Sequence, residues 1–269
     1  MDFLYSIPAS IFLPMVLILA ITIACGGQVT VHRHFGGRNF IAHNEVGGII
    51  IAVAGAIYAV ILGFLTVEAW ERSQEARQLA VFESNADIDA WHTAVGLPPD
   101  VRQRVRADML QYVNVMIQSE WPLMKHGLAD PTAAFIGMDA IDATGTFIPA
   151  NSAESNAQQA TLEQLGIMHD ARQRRVLINS TGGVSWFEWL VLLLGATCII
   201  CFCWLFGLEK PRTHLLMTST VVAMIGAVMV LLFQLQYPFR SSVGIGPEVW
   251  QGALAHIHQM QMGNQMNFR

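Results

Sequence analysis

Few side chains in this chain could do chemistry, and most of them sit at the ends of apolar runs. Glu45 and Glu68 bracket an uncharged stretch, NEVGGIIIAVAGAIYAVILGFLTVEAW over residues 44–70. At about 1.5 Å per residue that stretch is long enough to cross a bilayer. Tyr58 lies in its middle, Glu188 stands between Phe187 and Trp189, and Gln234 and Gln236 close the last apolar run. A polar group at membrane depth is costly and is a functional candidate by default. Each also has a plainer reading. Glu45 suits a helix start, where the partial positive charge favours a carboxylate, with Asn44 capping just before it. Glu68 can be an interfacial partner of Arg72 at i+4. Glu188 can rest at headgroup level in an aromatic belt, and Tyr58 can be a packed ring with a bonded hydroxyl. The sharper reading puts Asn44, Glu45 and Glu68 at the mouths of a pathway.

Metal and catalytic chemistry find little support. His32-Arg33-His34 and His43 offer imidazoles in a loop without carboxylates or cysteines, so no metal site is assigned and no cofactor is expected. The four cysteines all fall in apolar runs, where they read as small hydrophobes, even at the CxxC spacing of Cys198 and Cys201. There is no phosphate-cradling glycine loop, GxSxG elbow or HExxH. Glu120-Trp121-Pro122 reads as a helix end with an aromatic anchor. The sequence points away from an enzyme. Net charge is −5 with no run of like charges, which excludes a nucleic-acid partner.

The elements that would hold these residues are membrane helices. Of 269 residues, 53% are apolar and only 13% charged, outside the range of ordinary soluble domains. Apolar runs over 7–27, 186–208 and 215–233 join the one after Glu45, giving four spans. Asp2 without Lys or Arg leads the first, unlike a secretory signal. Along the second span Gly48, Ala52, Gly55, Ala59 and Gly63 form a stripe of small residues, which lets a neighbouring helix come close in lipid. That neighbour could belong to the same subunit or to another. A second stripe, Ile50, Val53, Ile57, Ile61 and Phe64, would make a narrow apolar constriction if it lined a pore, of the kind that gates by dewetting.

Between spans two and three lies a polar insert that reads as helical. Residues 71–94 continue the second span without a breaker, until Gly96 and Pro98-Pro99. A helix over 101–121 carries Val101, Val105, Met109, Tyr112, Val113 and Met116 on one face, and Pro122 stops it. Residues 130–155, poor in charge and rich in Ala, Gly, Pro and Thr, read as an irregular excursion or short helices. A long helix over about 155–179 returns the chain to the membrane through Arg172, Arg174 and Arg175. Helices with one apolar face must bury it together, so the insert is expected to be a bundle. Pro247 can open a short closing helix to about Met262, lying on the membrane surface or over the bundle.

Three segments carry a resemblance. The stretch from Asn44-Glu45 through Tyr58-Ala59-Val60-Ile61-Leu62-Gly63-Phe64, then Glu120-Trp121-Pro122, then Tyr237-Pro238-Phe239, resembles the bestrophin-like family of bacterial and plant membrane proteins, over about residues 7–258. The resemblance implies kinship with bestrophins, which form pentameric anion channels. It marks Glu120, Trp121, Pro122, Pro238 and Phe239 as family motif residues. The family pattern has an acid shortly before Pro-Phe and a glycine shortly after; here Gln236 and Tyr237 precede it, and the glycine comes only at Gly244. No acidic cluster like the calcium clasp of animal bestrophins is present.

The expectation is an all-α membrane protein with four transmembrane helices and a helical-bundle insert between spans 2 and 3. Its parts are residues 1–69, 70–185, 186–236 and 237–269. It is expected to sit in lipid, in a bacterial inner membrane, as a homo-oligomer. Arg33, Arg38, Lys210 and Arg212 on one side against Arg240 on the other lean the insert outward by the positive-inside rule. The leading function is an ion channel passing a small ion, with the second span around the axis. The rival is a non-conducting scaffold whose bundle binds another protein.

Overall fold

A computed structural model describes residues 4–5, 7–36, 41, 44–208 and 210–266, with the backbone only for 263–266. His43 and Arg38, named above, lie outside the described residues. The described chain is helical: α1 (Ala9–Phe35), α2 (Asn44–Thr93), α3 (Pro99–Val115), α4 (Trp121–Met124), α5 (Pro131–Thr146), α6 (Ser152–Thr181), α7 (Trp186–Trp204), α8 (Pro211–Leu235) and α9 (Glu248–Met266). A π turn, Met116–Glu120, joins α3 to α4. Four helices, α1, α2, α7 and α8, are long and apolar enough to cross a membrane. This is an integral membrane protein.

The chain forms two compact units, and α2 contributes to both. In the membrane unit, α1 lies along α8. Phe12 stacks on Phe233 at 5.4 Å, and the Cys25 thiol meets the Ser219 hydroxyl at 3.3 Å. The indole of Trp204 on α7 donates to the Ala24 carbonyl at 2.9 Å, an approach open only because Gly27 has no Cβ to collide with that ring. Between α2 and α7 the close approach falls at Gly195, where an added Cβ would stand 2.5 Å from the Tyr58 ring. Tyr58, Leu62 and Ala69 close this seam with Leu192, Ala196, Ile199 and Leu232. Small residues let these helices pack where lipid gives no hydrophobic push between them.

Residues 72–182 with α9 make the second unit, a helical bundle. Val105, Met109, Tyr112, Val113 and Met116 are all buried in its core, at helical spacing. Local signals set the helix ends. Pro98 and Pro99 start α3, Asp130 accepts from the Thr132 amide at 2.8 Å to cap α5, and Asn151 accepts from the Glu154 amide at 2.9 Å to cap α6. Of the two readings of 130–155, an irregular excursion or short helices, the structure has the helical one, in the 16-residue α5. At Gly137 α5 passes Met168, whose methyl end would stand 3.4 Å from an added Cβ, an ordinary contact.

Candidate functional site

On α2 the membrane segment buries one face and leaves the rest open. Ile50, Val53, Ile57, Ile61 and Phe64 are exposed in the protomer, from 38% at Ile61 to 74% at Phe64. The stripe of small residues is uncovered as well: a Cβ at Gly48, Gly55 or Gly63 would meet nothing within 4 Å. Ala52 and Ala59 are exposed with it. Among the membrane-spanning helices, the glycines tightly packed within the protomer are Gly27, Gly195 and Gly226, on the other three spans. An apolar cleft of about 300 Å³ runs beside the α2–α7 seam, lined by Ile57, Tyr58, Ile61, Gly195 and Cys198 among others.

At the two ends of the apolar segment of this helix the acids differ from Asn44. Glu45 and Glu68 are exposed. Asn44 is half-buried and clamps a loop instead of capping: its amide donates to the Gly207 carbonyl at 2.7 Å and accepts from the Gly207 amide at 3.1 Å. Glu188 completes a capping box with Ser185 at the start of α7. Tyr58 is a buried, packed ring whose hydroxyl reaches the Met229 sulfur at 3.8 Å. Gln236, which stands near where the family pattern has an acid, ties three elements. Its Oε1 accepts from the Val184 amide at 3.1 Å and the Trp189 indole at 3.2 Å, and its Nε2 donates to the Tyr5 hydroxyl at 2.7 Å. A carboxylate could not make that last donation.

In the bundle, the motif residues converge. Trp121 stands edge-on to Phe239 at 5.6 Å and to Trp250 at 6.4 Å, and its indole donates to the Ile245 carbonyl at 3.0 Å. Pro238 gives its carbonyl to the Ile245 amide at 2.8 Å, folding the chain into a turn around Gly244. Pro122 stays at the surface. A Cβ on Gly244 would stand 2.2 Å from the Pro238 carbonyl oxygen, and backbone cannot swing aside. Gly244→Ala is expected to destabilise the bundle by about 1–3 kcal/mol, read as a lower unfolding temperature of the purified protein.

Beside Trp121 lies a buried ion network that no motif announces. Arg175, fully buried, donates to both Glu83 oxygens, at 2.6 and 2.9 Å, and to Glu120 Oε1 at 3.1 Å. Arg172 donates to Glu120 Oε2 at 3.0 Å and to the Asp130 carbonyl at 2.8 Å. Tyr112 donates to Glu83 Oε1 at 2.6 Å, and the Asp130 amide to Glu120 Oε2 at 2.8 Å. The Arg175 guanidinium also lies 5.0 Å from the Trp121 ring centroid, a cation–π contact. Two guanidiniums thus face two carboxylates, with neutral donors filling the remaining lone pairs. Burial alone would lower the Arg175 pKa, but Glu83 and Glu120 outweigh it and hold the group above its ordinary value. Burial, and then the charge of Glu83, push the Tyr112 phenol well up. Asp130 is held down, chiefly by the Ser119 hydroxyl. Glu120 is therefore a buried partner in this network and not a mere helix end.

Among the described residues no three His, Cys, Asp or Glu side chains gather as a metal site. His32 donates to the Trp204 carbonyl at 2.9 Å, and His214 to that of Cys203 at 3.1 Å.

The family model of the bestrophin-like domain matches residues 18–250. Among solved structures, a bacterial bestrophin homologue from Klebsiella pneumoniae, in one point variant, has a TM-score of 0.71 at 15% identity, covering 91% of this chain and 98% of that one. In another point variant it reaches 0.68 at 15% identity, covering 93% and 98%. A chain described as a membrane protein gives 0.71 at 15% identity, again covering 91% and 98%. At this identity the likeness is one of fold. No curated protein sequence matches the chain.

Proposed function

We propose that this chain, which belongs to the bestrophin-like family, assembles with copies of itself into an ion channel whose pore is lined by α2. The observation that carries this reading is the uncovered side of α2. One face packs on its own subunit through Tyr58, Leu62 and Ala69, while Ile50, Val53, Ile57, Ile61 and Phe64 are left open together with the glycine stripe. In a ring of subunits the glycine stripe takes the neighbouring subunit, and the apolar stripe faces the axis. The path is then a hydrophobic constriction, with Asn44 and Glu45 at one mouth and Glu68 at the other. Kinship with the anion-conducting bestrophins favours an anion; the two acids favour a cation. On this reading it is a bacterial inner-membrane protein; Arg33, Arg38, Lys210 and Arg212 against Arg240 lean the bundle slightly outward, while Arg72, Arg77, Arg172, Arg174 and Arg175 lean it the other way.

Purified protein in a planar bilayer under a KCl gradient tests this. Discrete currents are expected, with a reversal potential whose sign names the permeant ion. Gly55→Trp, which fills open space in the protomer, should change them by disturbing the contact between subunits. Silence from an intact oligomer over a range of pH and voltage would instead favour the scaffold reading. For that reading the relevant surface is on the bundle, where Phe135, Met138 and Ile148 are exposed.

A further inference from the structure

Asp87 is the buried acid that the ion network leaves out. Its side chain is fully enclosed, and neither carboxylate oxygen has a hydrogen-bond partner. It lies roughly five turns past Glu68, well beyond the apolar segment of α2. Helical spacing puts it one turn from Glu83 and three residues from Ser84, on the face that Ser84 presents to α9 through the Val249 carbonyl at 3.5 Å. Glu83 offers Asp87 no donor, since its carboxylate only accepts, from Arg175 and Tyr112. On α9, Trp250 is also fully buried, packs on Tyr112 at 5.7 Å, and leaves its indole nitrogen unpartnered. The core therefore holds an acid without a donor and a donor without an acceptor.

We infer that Asp87 is a proton-binding site of the bundle, and that releasing its proton loosens α9 from α2, making this seam a pH-sensitive latch. A neutral carboxyl tolerates the enclosure; a carboxylate there has no countercharge and faces Glu83 on its own helix. The charged and titratable groups that face this stretch of α2 include Tyr112 on α3, Glu120 at the π turn and Arg175 on α6, all bound into the network, then Arg106 on α3, whose guanidinium donates to the Trp91 carbonyl at 3.3 Å and lies over the Trp91 ring, and His256 on α9. The last is exposed and ring-to-ring with His92 at 5.9 Å. None supplies Asp87 with a bond. Burial first, and Glu83 second, raise its pKa well above the ordinary aspartate value. The sign follows. The unfolded chain releases this proton near pH ~4 while the folded bundle keeps it, so this group's contribution to stability falls as pH rises from there, until the folded group ionises. The inference concerns the bundle alone and stands whether or not the protein conducts.

Infrared spectroscopy of the whole protein in lipid nanodiscs, with aspartate carboxyls isotopically labelled, reads the site directly. At neutral pH a labelled neutral-acid carbonyl band is expected. It should vanish in Asp87→Asn, move to the unlabelled frequency in Asp87→Glu, and survive in Asp108→Asn. The unfolding temperature of Asp87→Asn should match that of the parent near pH 4 and exceed it by several degrees at pH 8. No labelled neutral-acid band in the parent protein, or a band that Asp87→Glu leaves in place, overturns the inference. So does a gap between parent and Asp87→Asn that does not change with pH.

Discussion

Arg175→Ala will leave the bundle unable to hold its fold under conditions where the parent protein is stable. Among the described residues, the substitution removes the guanidinium that joins Glu83 to Glu120, and each of those carboxylates is fully buried. Breaking a buried ion pair by deleting one partner costs about 3–5 kcal/mol, because the charge left behind keeps its desolvation penalty and loses its compensation. Against a typical domain stability of about 5–15 kcal/mol, that is a large part of the whole. Arg172 cannot stand in, since it reaches only Glu120. The contrast is the neutral replacement. Arg175→Met combined with Glu83→Gln and Glu120→Gln removes charge from both sides and should recover much of the loss. Trypsin resistance and tryptophan emission of the purified protein during heating will rank the three proteins: parent, then triple variant, then Arg175→Ala. An Arg175→Ala protein as resistant as its parent would contradict the network's role.

Gly195→Val is the second large effect, and it falls in the membrane unit. The Cβ alone would stand 2.5 Å from one Tyr58 ring carbon and 2.7 Å from the next. The ring cannot rotate away freely, because Tyr58 is buried among Leu62, Leu192 and Leu232. α7 must then move off α2, at a cost of about 1–3 kcal/mol for overpacking. Tyr58→Ala removes the obstacle, so the pair Tyr58→Ala with Gly195→Val should be less destabilised than the sum of the two changes. Unfolding temperature in detergent measures all three proteins. Gly55→Ala sets the comparison. It meets only open space in the protomer and should not destabilise it, although it lies on α2, the helix that carries Tyr58.

The four spans were legible because an apolar run of bilayer length has few other meanings. The core face of α3 was legible because Val105, Met109, Tyr112 and Met116 repeat at helical spacing. α5 was legible only as one of two alternatives, since Ala, Gly and Thr hide its period. Its one clear mark is Asp130-Pro131, a cap followed by a proline in the first turn. The ion network was hidden by distance along the chain. Glu83, Glu120 and Arg175 come from three separate elements, and the arginines of α6 look like the ordinary cations of a helix returning to a membrane. A fainter signal was present: Leu165, Met168, Ala171 and Arg175 follow helical spacing, which puts that arginine on the apolar face. Likewise Ala76, Ala80, Glu83, Asp87 and Ala90 set two acids into an alanine face that could only pack inward. The π turn before Glu120 had no sequence mark.

Single-channel recording at fixed KCl, comparing Ile57→Asn with Ile18→Asn, tests most directly whether the open face of α2 encloses the ion path. Both positions are exposed and apolar in the protomer, one on α2 and the other on α1. A polar side chain in an apolar constriction holds water there and lowers the barrier to an ion. Conductance raised severalfold by Ile57→Asn and unchanged by Ile18→Asn is the predicted result. Equal conductance in the two variants and the parent would contradict the placing of α2 around the pore.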